Sequence, residues 1–272
     1  MLQARVKQLA IASWKINHRM PHLSIVVPAY NEVSRIAATL QLMRDYLDRQ
    51  SYDWEIIVSA DGQDGTREAA AAWGDAAGLT GAGDDKLFVI GSQQRAGKGH
   101  GIRKGIEQAR GQVIGFIDAD YKTPIEELDK VLPVLANGYD VAIGSRKVGE
   151  SKIEVAQPLY RRAGSAAFHA VMGTLLGLSD IRDTQCGFKF FQGPVAQTIF
   201  SHQQINGYMF DVEILRLARL MGYRIKEVGV RWRDDGDSRY APISGTIKNA
   251  RELIHIRLLR YPELPTKPAG RL

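Results

Sequence analysis

Apolar positions along the first half of the chain alternate between two spacings, and each spacing predicts a type of element. Leu23-Ser24-Ile25-Val26-Val27 reads as a buried strand, and Ile36, Leu40, Met43 and Leu47 then recur at helical spacing. "WEIIVSA", residues 54–60, is the next strand, followed by Asp61-Gly62 and an alanine-rich helix through Ala76. After the polar loop "GLTGAGDD", residues 78–85, "KLFVI" predicts a third strand. "GKGHGIRKGIEQA" starts in glycines and becomes a helix. "VIGFI", residues 113–117, is a fourth strand, with Pro124 placed to open the next helix. "YDVAIGS", residues 139–145, is a fifth.

Strands alternating with helices predict a mostly parallel sheet covered on both faces. Ligands of such sheets bind beyond the carboxyl ends of the strands. Polar residues gather at those ends: Asn31-Glu32, Asp61, Asp118 with Asp120, and Ser145-Arg146. The pattern changes after about residue 150. Residues 158–178 look helical, with Leu159, Ala163, Ala167, Val171 and Leu175 on one side. "DTQCGFKFF" follows without an assigned element, then a helical stretch near 208–221 and a strand "YRIKEVGVRW". The polar loop "RDDGDSRYAP" leads to a basic amphipathic helix, "GTIKNARELIHIRLLRY". With no repeat and no low-complexity linker, the expectation is an amphipathic segment over 1–21, one α/β domain over 22–240, and a basic helix with tail over 241–272.

The 272 residues are 44% hydrophobic and 24% charged, an ordinary globular composition, with a formal net charge of +6. That excess suits a phosphate-bearing partner or an anionic surface as well as it suits a merely soluble basic exterior. A single cysteine, Cys186, excludes an internal disulfide framework and a cysteine-rich zinc site, and fits a reducing compartment. It reads as a buried thiol rather than a nucleophile, because nothing pairs it with a base. The six histidines show no metal-type clustering. No run approaches the roughly 20 apolar residues of a membrane span. Lys7 and Lys15 break the N-terminal stretch, whose Leu2, Val6, Leu9 and Ile16 form one side of a helix that would lie on a membrane or pack on the domain.

Two aspartates one residue apart repel each other as anions, and a divalent cation relieves that repulsion. Hard oxygen ligands suit Mg²⁺ or Mn²⁺, which also take substrate phosphates. The alternative is a strand-to-helix turn in which Asp120 or Thr123 caps the helix begun at Pro124. Asp61 could accept from a base N–H or serve as a turn aspartate before Gly62. Lys98, Arg103 and Lys104 lie among the glycines of Gly97–Gly105 and could form an anion seat at a helix start. The Gly-Lys-Ser/Thr order of a Walker loop is absent. The first strand runs into Pro28-Ala29-Tyr30-Asn31, which argues against a dinucleotide-binding glycine fingerprint.

"LSIVVPAYNE", "VSADGQDGT", "GKGHGIRKG", "FIDAD" and "AIGSR" together resemble the inverting family-2 glycosyltransferases of GT-A fold, in that family's order. Downstream, "LYRRAGSAAFHAVMGTLLGL", "IRDTQCGFKFF" and "GYMFDVEILRLARLMGYRIKEVGVRWRDDGDSRY" are similar to the polyprenyl-phosphate hexosyltransferases. The nearest branch is dolichyl-phosphate β-glucosyltransferase-like, with the mannose synthases as near relatives, and the resemblance runs from about residue 22 to 260. It implies a nucleotide-sugar donor, a polyprenyl-phosphate acceptor, inversion at the anomeric carbon, and a GT-A fold with C-terminal helical elaboration. It implies Asp118, Asp120 and Arg233 as catalytic residues, with Asp118 and Asp120 holding Mg²⁺ or Mn²⁺. Pro28, Tyr30, Glu32, Asp61, Lys98, Ala119 and Arg146 would join the two aspartates in binding the donor. Arg161, Ser165, Arg233 and Arg239 would hold the acceptor phosphate, while Arg162 and Arg182 read as surface charges. Asp183 matches a position near the donor.

The resemblance favours glucose from UDP-glucose. A GDP-mannose enzyme, a transferase to a soluble phosphorylated acceptor, and a non-catalytic nucleotide-sugar-binding protein are the alternatives. The basic terminal helices would meet the membrane surface on its cytoplasmic face, or serve packing or self-association; nucleic acid is not implied. Two departures stand out. Ala60-Asp61 replaces a frequent aspartate pair, so binding of the base would rest on Asp61 alone; Lys122 replaces a glutamine of the mannose synthases, so fewer protein ligands would hold the metal.

Overall fold

The computed structural model describes residues 22–81, 85–149, 151–153, 173–233 and 251–267. Five of the strands expected from the apolar runs form: β1 (Leu23–Tyr30), β2 (Trp54–Asp61), β3 (Leu87–Ile90), β4 (Val113–Ile117) and β5 (Val141–Ser145). Between them run α1 (Ile36–Leu47), α2 (Thr66–Ala76), α3 (Lys98–Gln108) and α4 (Leu128–Ala136). The spacing of Ile36, Leu40, Met43 and Leu47 is that of the buried stripe of α1. Pro124 does not begin α4. It precedes a 3₁₀ turn, Ile125–Glu127, from which α4 continues.

Downstream lie β6 (Lys152–Ile153), β7 (Phe188–Gln192), α5 (Gly193–His202), α6 (Phe210–Leu220), β8 (Ile225–Gly229) and β9 (Arg231–Trp232). The expected single strand "YRIKEVGVRW" is two strands. β8 extends the main sheet, and β9 leaves it to pair with β6. β7 and α5 are additions to the elements expected from the sequence. Of the helix expected over 158–178, residues 173–176 are helical, and the rest lie outside the described residues, as does the N-terminal segment.

The main sheet has the order β3-β2-β1-β4-β7-β5-β8. All its pairings are parallel except those of β7, which runs antiparallel between β4 and β5. The strands are apolar on both faces and feed two cores, as a three-layer α/β arrangement requires. Ile25, Val27, Ile56 and Val58 face Leu40, Met43 and Leu128 on one side. Val26, Ile57, Ile114 and Phe116 face Ile102, Ile106, Phe200 and Phe210 on the other. The helix over 251–258 inserts Leu253 and Ile256 into this second core, and Tyr261 donates to Glu213 at 2.9 Å. The described part of the basic C-terminal helix thus packs on the domain through one side, while Ile254 and Leu258 stay exposed. No helix among the described residues is long and apolar enough to cross a membrane.

The register sets the site. The carboxyl ends of β1, β2, β4, β5 and β8 share one rim, and the antiparallel β7 brings its start to the same rim, between β4 and β5.

Candidate active site

β4 delivers Asp118 to the rim, and the chain then turns through Ala119-Asp120-Tyr121. Tyr121 takes a positive φ of 55°, a strained value for a bulky residue, with its N–H donating to the Asp118 carbonyl at 3.1 Å. Ala119 is buried, and its carbonyl accepts from Thr39 of α1 at 2.8 Å. The middle residue of the motif therefore anchors the turn. Asp118 and Asp120 keep side chains 33% and 32% exposed. They open on a cleft of about 180 Å³ lined also by Lys122, Thr123, Arg146, Gln185 and Trp232. Neither carboxylate is spent capping a helix: the 3₁₀ turn after Pro124 has no side-chain cap.

Gly187, at the start of β7, is pressed against Asp118. A Cβ there would stand 2.0 Å from Asp118 Oδ2, so only glycine leaves the carboxylate its place. Burial and the charge of Asp118 raise the Asp120 carboxyl above the usual range. Two carboxylates in this state fit a hard divalent cation that also takes phosphate oxygens. Among the described residues no cluster of three Asp, Glu, His or Cys forms, so protein would supply only part of its shell.

Cations surround this pair. Lys98, the first residue of α3, sets its Nζ 2.7 Å from Asp118 Oδ1. Burial would lower its pKa, but Asp118 and Asp211 outweigh that and hold it firmly protonated. Deeper, buried Lys189 reaches Asp211 at 2.5 Å and the Cys186 carbonyl at 2.7 Å. Lys122 lies 4.0 Å from Asp120 and 5.8 Å from the Trp232 ring centroid. Arg146, at the end of β5, does not stand ready for a phosphate with its whole fork. Its Nε and Nη2 donate to fully buried Asp183 at 2.7 and 2.8 Å. It still lines the cleft. Burial would raise Asp183, but Arg146 holds that carboxyl well below the usual range.

The glycine stretch is mostly packing. Cβ atoms on Gly99 and Gly105 would strike Phe210 and Val26 at 2.6 and 2.4 Å, so these glycines let α3 lie close to its neighbours. Arg103 donates to the Gln203 carbonyl and Lys104 pairs with Glu107, which leaves Lys98 as the one cation of the expected anion seat that reaches the aspartates. Asp61, at the end of β2, accepts from Ser92 N at 3.1 Å and Ala96 N at 2.9 Å, ordering the loop before α3. Tyr30 receives the Arg95 guanidinium over its ring at 4.3 Å. Glu32 pairs with Arg35 at 3.1 Å, and Pro28 sits inside β1 opposite Ser59.

Arg233 is exposed and tied to the aspartate turn through its N–H, which donates to the Lys122 carbonyl at 3.0 Å. Arg161, Ser165 and Arg239 lie outside the described residues. Arg182 is exposed, as expected of a surface charge. Burial pushes the Cys186 thiol up to about 12, which suits an inert side chain. Gln185 and Trp232 line the cleft without having been expected there. The only local signal was the apolar run after Gln185, which hints at a strand but not at its direction.

The model of glycosyl transferase family 2 matches residues 24–198. The chain belongs to that family. Among curated family-2 relatives, the dolichyl-phosphate beta-glucosyltransferase of Homo sapiens is 34% identical over 88% of this chain and 75% of its own length. That of Drosophila melanogaster is 33% identical over 86% and 74%. Dolichyl-phosphate beta-glucosyltransferase ALG5D of Trichomonas vaginalis is 30% identical over 86% and 72%. Glucosyl-3-phosphoglycerate synthase from Mycobacterium tuberculosis, solved with Mn²⁺, UDP-glucose and phosphoglyceric acid, superposes with a TM-score of 0.65 at 18% identity. The superposition covers 91% of this chain and 81% of that one, which establishes the GT-A fold.

Proposed function

We propose that this family-2 glycosyltransferase moves glucose from UDP-glucose to dolichyl or a related polyprenyl phosphate, with inversion, and uses Mg²⁺ or Mn²⁺. The observation that carries the reading is the cleft in which Asp118 and Asp120, a third exposed and short of compensating ligands, face Lys98, Lys122 and Arg146. The names of the 30–34% identical relatives support glucose and dolichyl phosphate. The Mn²⁺ and UDP-glucose of the fold neighbour support the cation and the donor.

Asp118 and Asp120 would hold the cation, which when bound offsets the charge growing on the departing diphosphate. Lys98 orients Asp118 and adds a fixed positive charge beside the same group. Tyr30, Asp61 and Arg95, at the β1–β2 end of the rim, would take the nucleoside. The acceptor is already an anion and needs no base to activate it. One of its phosphate oxygens forms a bond to the anomeric carbon as the bond to the donor diphosphate breaks, and the electron pair leaves with the nucleoside diphosphate. A single in-line displacement inverts the centre. Arg233 would steady the acceptor phosphate, joined by Arg161, Ser165 and Arg239. The lipid would be met at the membrane surface.

The test is transfer of radiolabelled glucose from UDP-glucose into an organic-extractable product, with dolichyl phosphate and Mg²⁺ or Mn²⁺. Product that vanishes with EDTA and returns with added metal is the expected result. Label found only on a water-soluble acceptor such as 3-phosphoglycerate, or none with UDP-glucose or GDP-mannose, would overturn the reading.

A further inference from the structure

The segment that enters β7 is nearly all committed to structure. Asp183 grips Arg146, Cys186 lends its carbonyl to Lys189, and Gly187 yields space to Asp118. Gln185 is the exception. It is half-buried, it lines the same cleft as Asp118 and Arg146, and its carboxamide has no hydrogen-bond partner among the described residues. The amide is therefore available to a ligand that enters the cleft, as a donor and an acceptor at once.

Its chemistry differs from the rest of the cleft. Asp118 and Asp120 are anionic, Lys122 and Arg146 are cationic, and Trp232 offers apolar surface. The charged groups suit phosphate and cation. A neutral amide, donor and acceptor side by side, suits adjacent hydroxyls, each of which both gives and takes a hydrogen bond. The cleft of about 180 Å³ has room for a ligand on the scale of one sugar ring, about six waters' worth of liquid.

Building on the proposed function, we infer that Gln185 hydrogen-bonds the hydroxyls of the transferred hexose and sets which sugar the enzyme accepts. The sugar ring sits over the start of β7, between the aspartate turn and Trp232, and the nucleoside lies toward β1 and β2.

Calorimetry with UDP and with UDP-glucose, in Mn²⁺, separates this role from a structural one. It is run on the wild-type chain, Gln185→Ala and Gln185→Asn, alongside kinetics with UDP-glucose, UDP-galactose and GDP-mannose. Expected is UDP affinity within about twofold of wild type in both variants, since Gln185 is not assigned to the nucleoside. kcat/KM for UDP-glucose should fall by roughly tenfold or more in Gln185→Ala, the range for a lost hydrogen bond to a buried partner, with partial recovery in Gln185→Asn. The preference for glucose over its epimers should shrink. Unchanged UDP-glucose kinetics and epimer preference in Gln185→Ala would overturn the inference and leave the proposed function standing. So would equal loss of UDP and UDP-glucose binding with a lowered melting temperature, the mark of a structural residue. A wild-type chain that binds neither compound overturns the proposed function, and the inference with it.

Discussion

The two ends of the central sheet both hold charged groups, and they hold them differently. At the amino ends of the strands, Glu55 of β2 is 1% exposed and saturated. Its Oε1 accepts from Ser24 Oγ at 2.6 Å and Arg110 N at 2.7 Å; its Oε2 accepts from Arg110 Nε at 2.7 Å and Nη2 at 2.5 Å. Every oxygen is spoken for, and the cluster ties β1, β2 and the turn before β4 together. At the carboxyl ends, Asp118 and Asp120 are a third exposed, repel each other, and meet Lys98 and Lys122 only in part. A saturated buried charge holds the fold. On the proposed function, an incompletely compensated one facing a cleft is held for a ligand that arrives.

The contrast can be broken first at Asp120. Asp120→Asn should cut glucosyl transfer at least about a hundredfold, about 3 kcal/mol of transition-state stabilisation, while the thermal melt stays near wild type. A normal rate with a lowered melting temperature would turn Asp120 into another Glu55. The reverse is expected of Glu55→Ala: a loss of about 3 kcal/mol in denaturant unfolding, because the buried Glu55–Arg110 ion pair and the Ser24 hydrogen bond are lost, and normal turnover per folded molecule.

Asp183 falls between the two cases, being saturated but adjacent to the cleft. Asp183→Asn should cost about 2 kcal/mol at neutral pH, discounted because Arg146 keeps some solvent. Arg146 holds the folded carboxyl below its unfolded value of about 4. The stabilisation is therefore present above that pH and is lost as pH falls through the lower folded value. Urea titrations should show the gap between wild type and variant narrowing on acidification below about pH 4. The smallest effect is expected at Arg233. Arg233→Ala should raise the acceptor KM about tenfold, the worth of one charge-assisted hydrogen bond, with donor binding intact. A loss confined to the donor would move Arg233 to the other side of the sugar.

Much of this was legible before any coordinates. Ile25-Val26-Val27 and "VIGFI" announce doubly buried strands by their unbroken apolarity, and α1 shows its stripe at Ile36, Leu40, Met43 and Leu47. Asp118 and Asp120 stand out because two carboxylates ending an apolar strand serve no packing purpose. Lys98 was legible as a cation near a helix start, but its partner was not. Gly99 and Gly105 look like a phosphate loop in one dimension and prove to be contact points of α3 in three.

Local pattern therefore determined the alternation of strand and helix, the rim at which polar residues collect, and the aspartate pair, because each depends on neighbours a few residues apart. Tertiary structure alone decided that β7 runs backwards between β4 and β5. Strand direction and order depend on connections tens of residues long, and an apolar run looks the same in either direction. That one reversal brings Gln185 to the lining of the aspartates' cleft, sets Gly187 against Asp118 and leaves Asp183 beneath Arg146, the last two being contacts between residues 69 and 37 positions apart that no local period encodes.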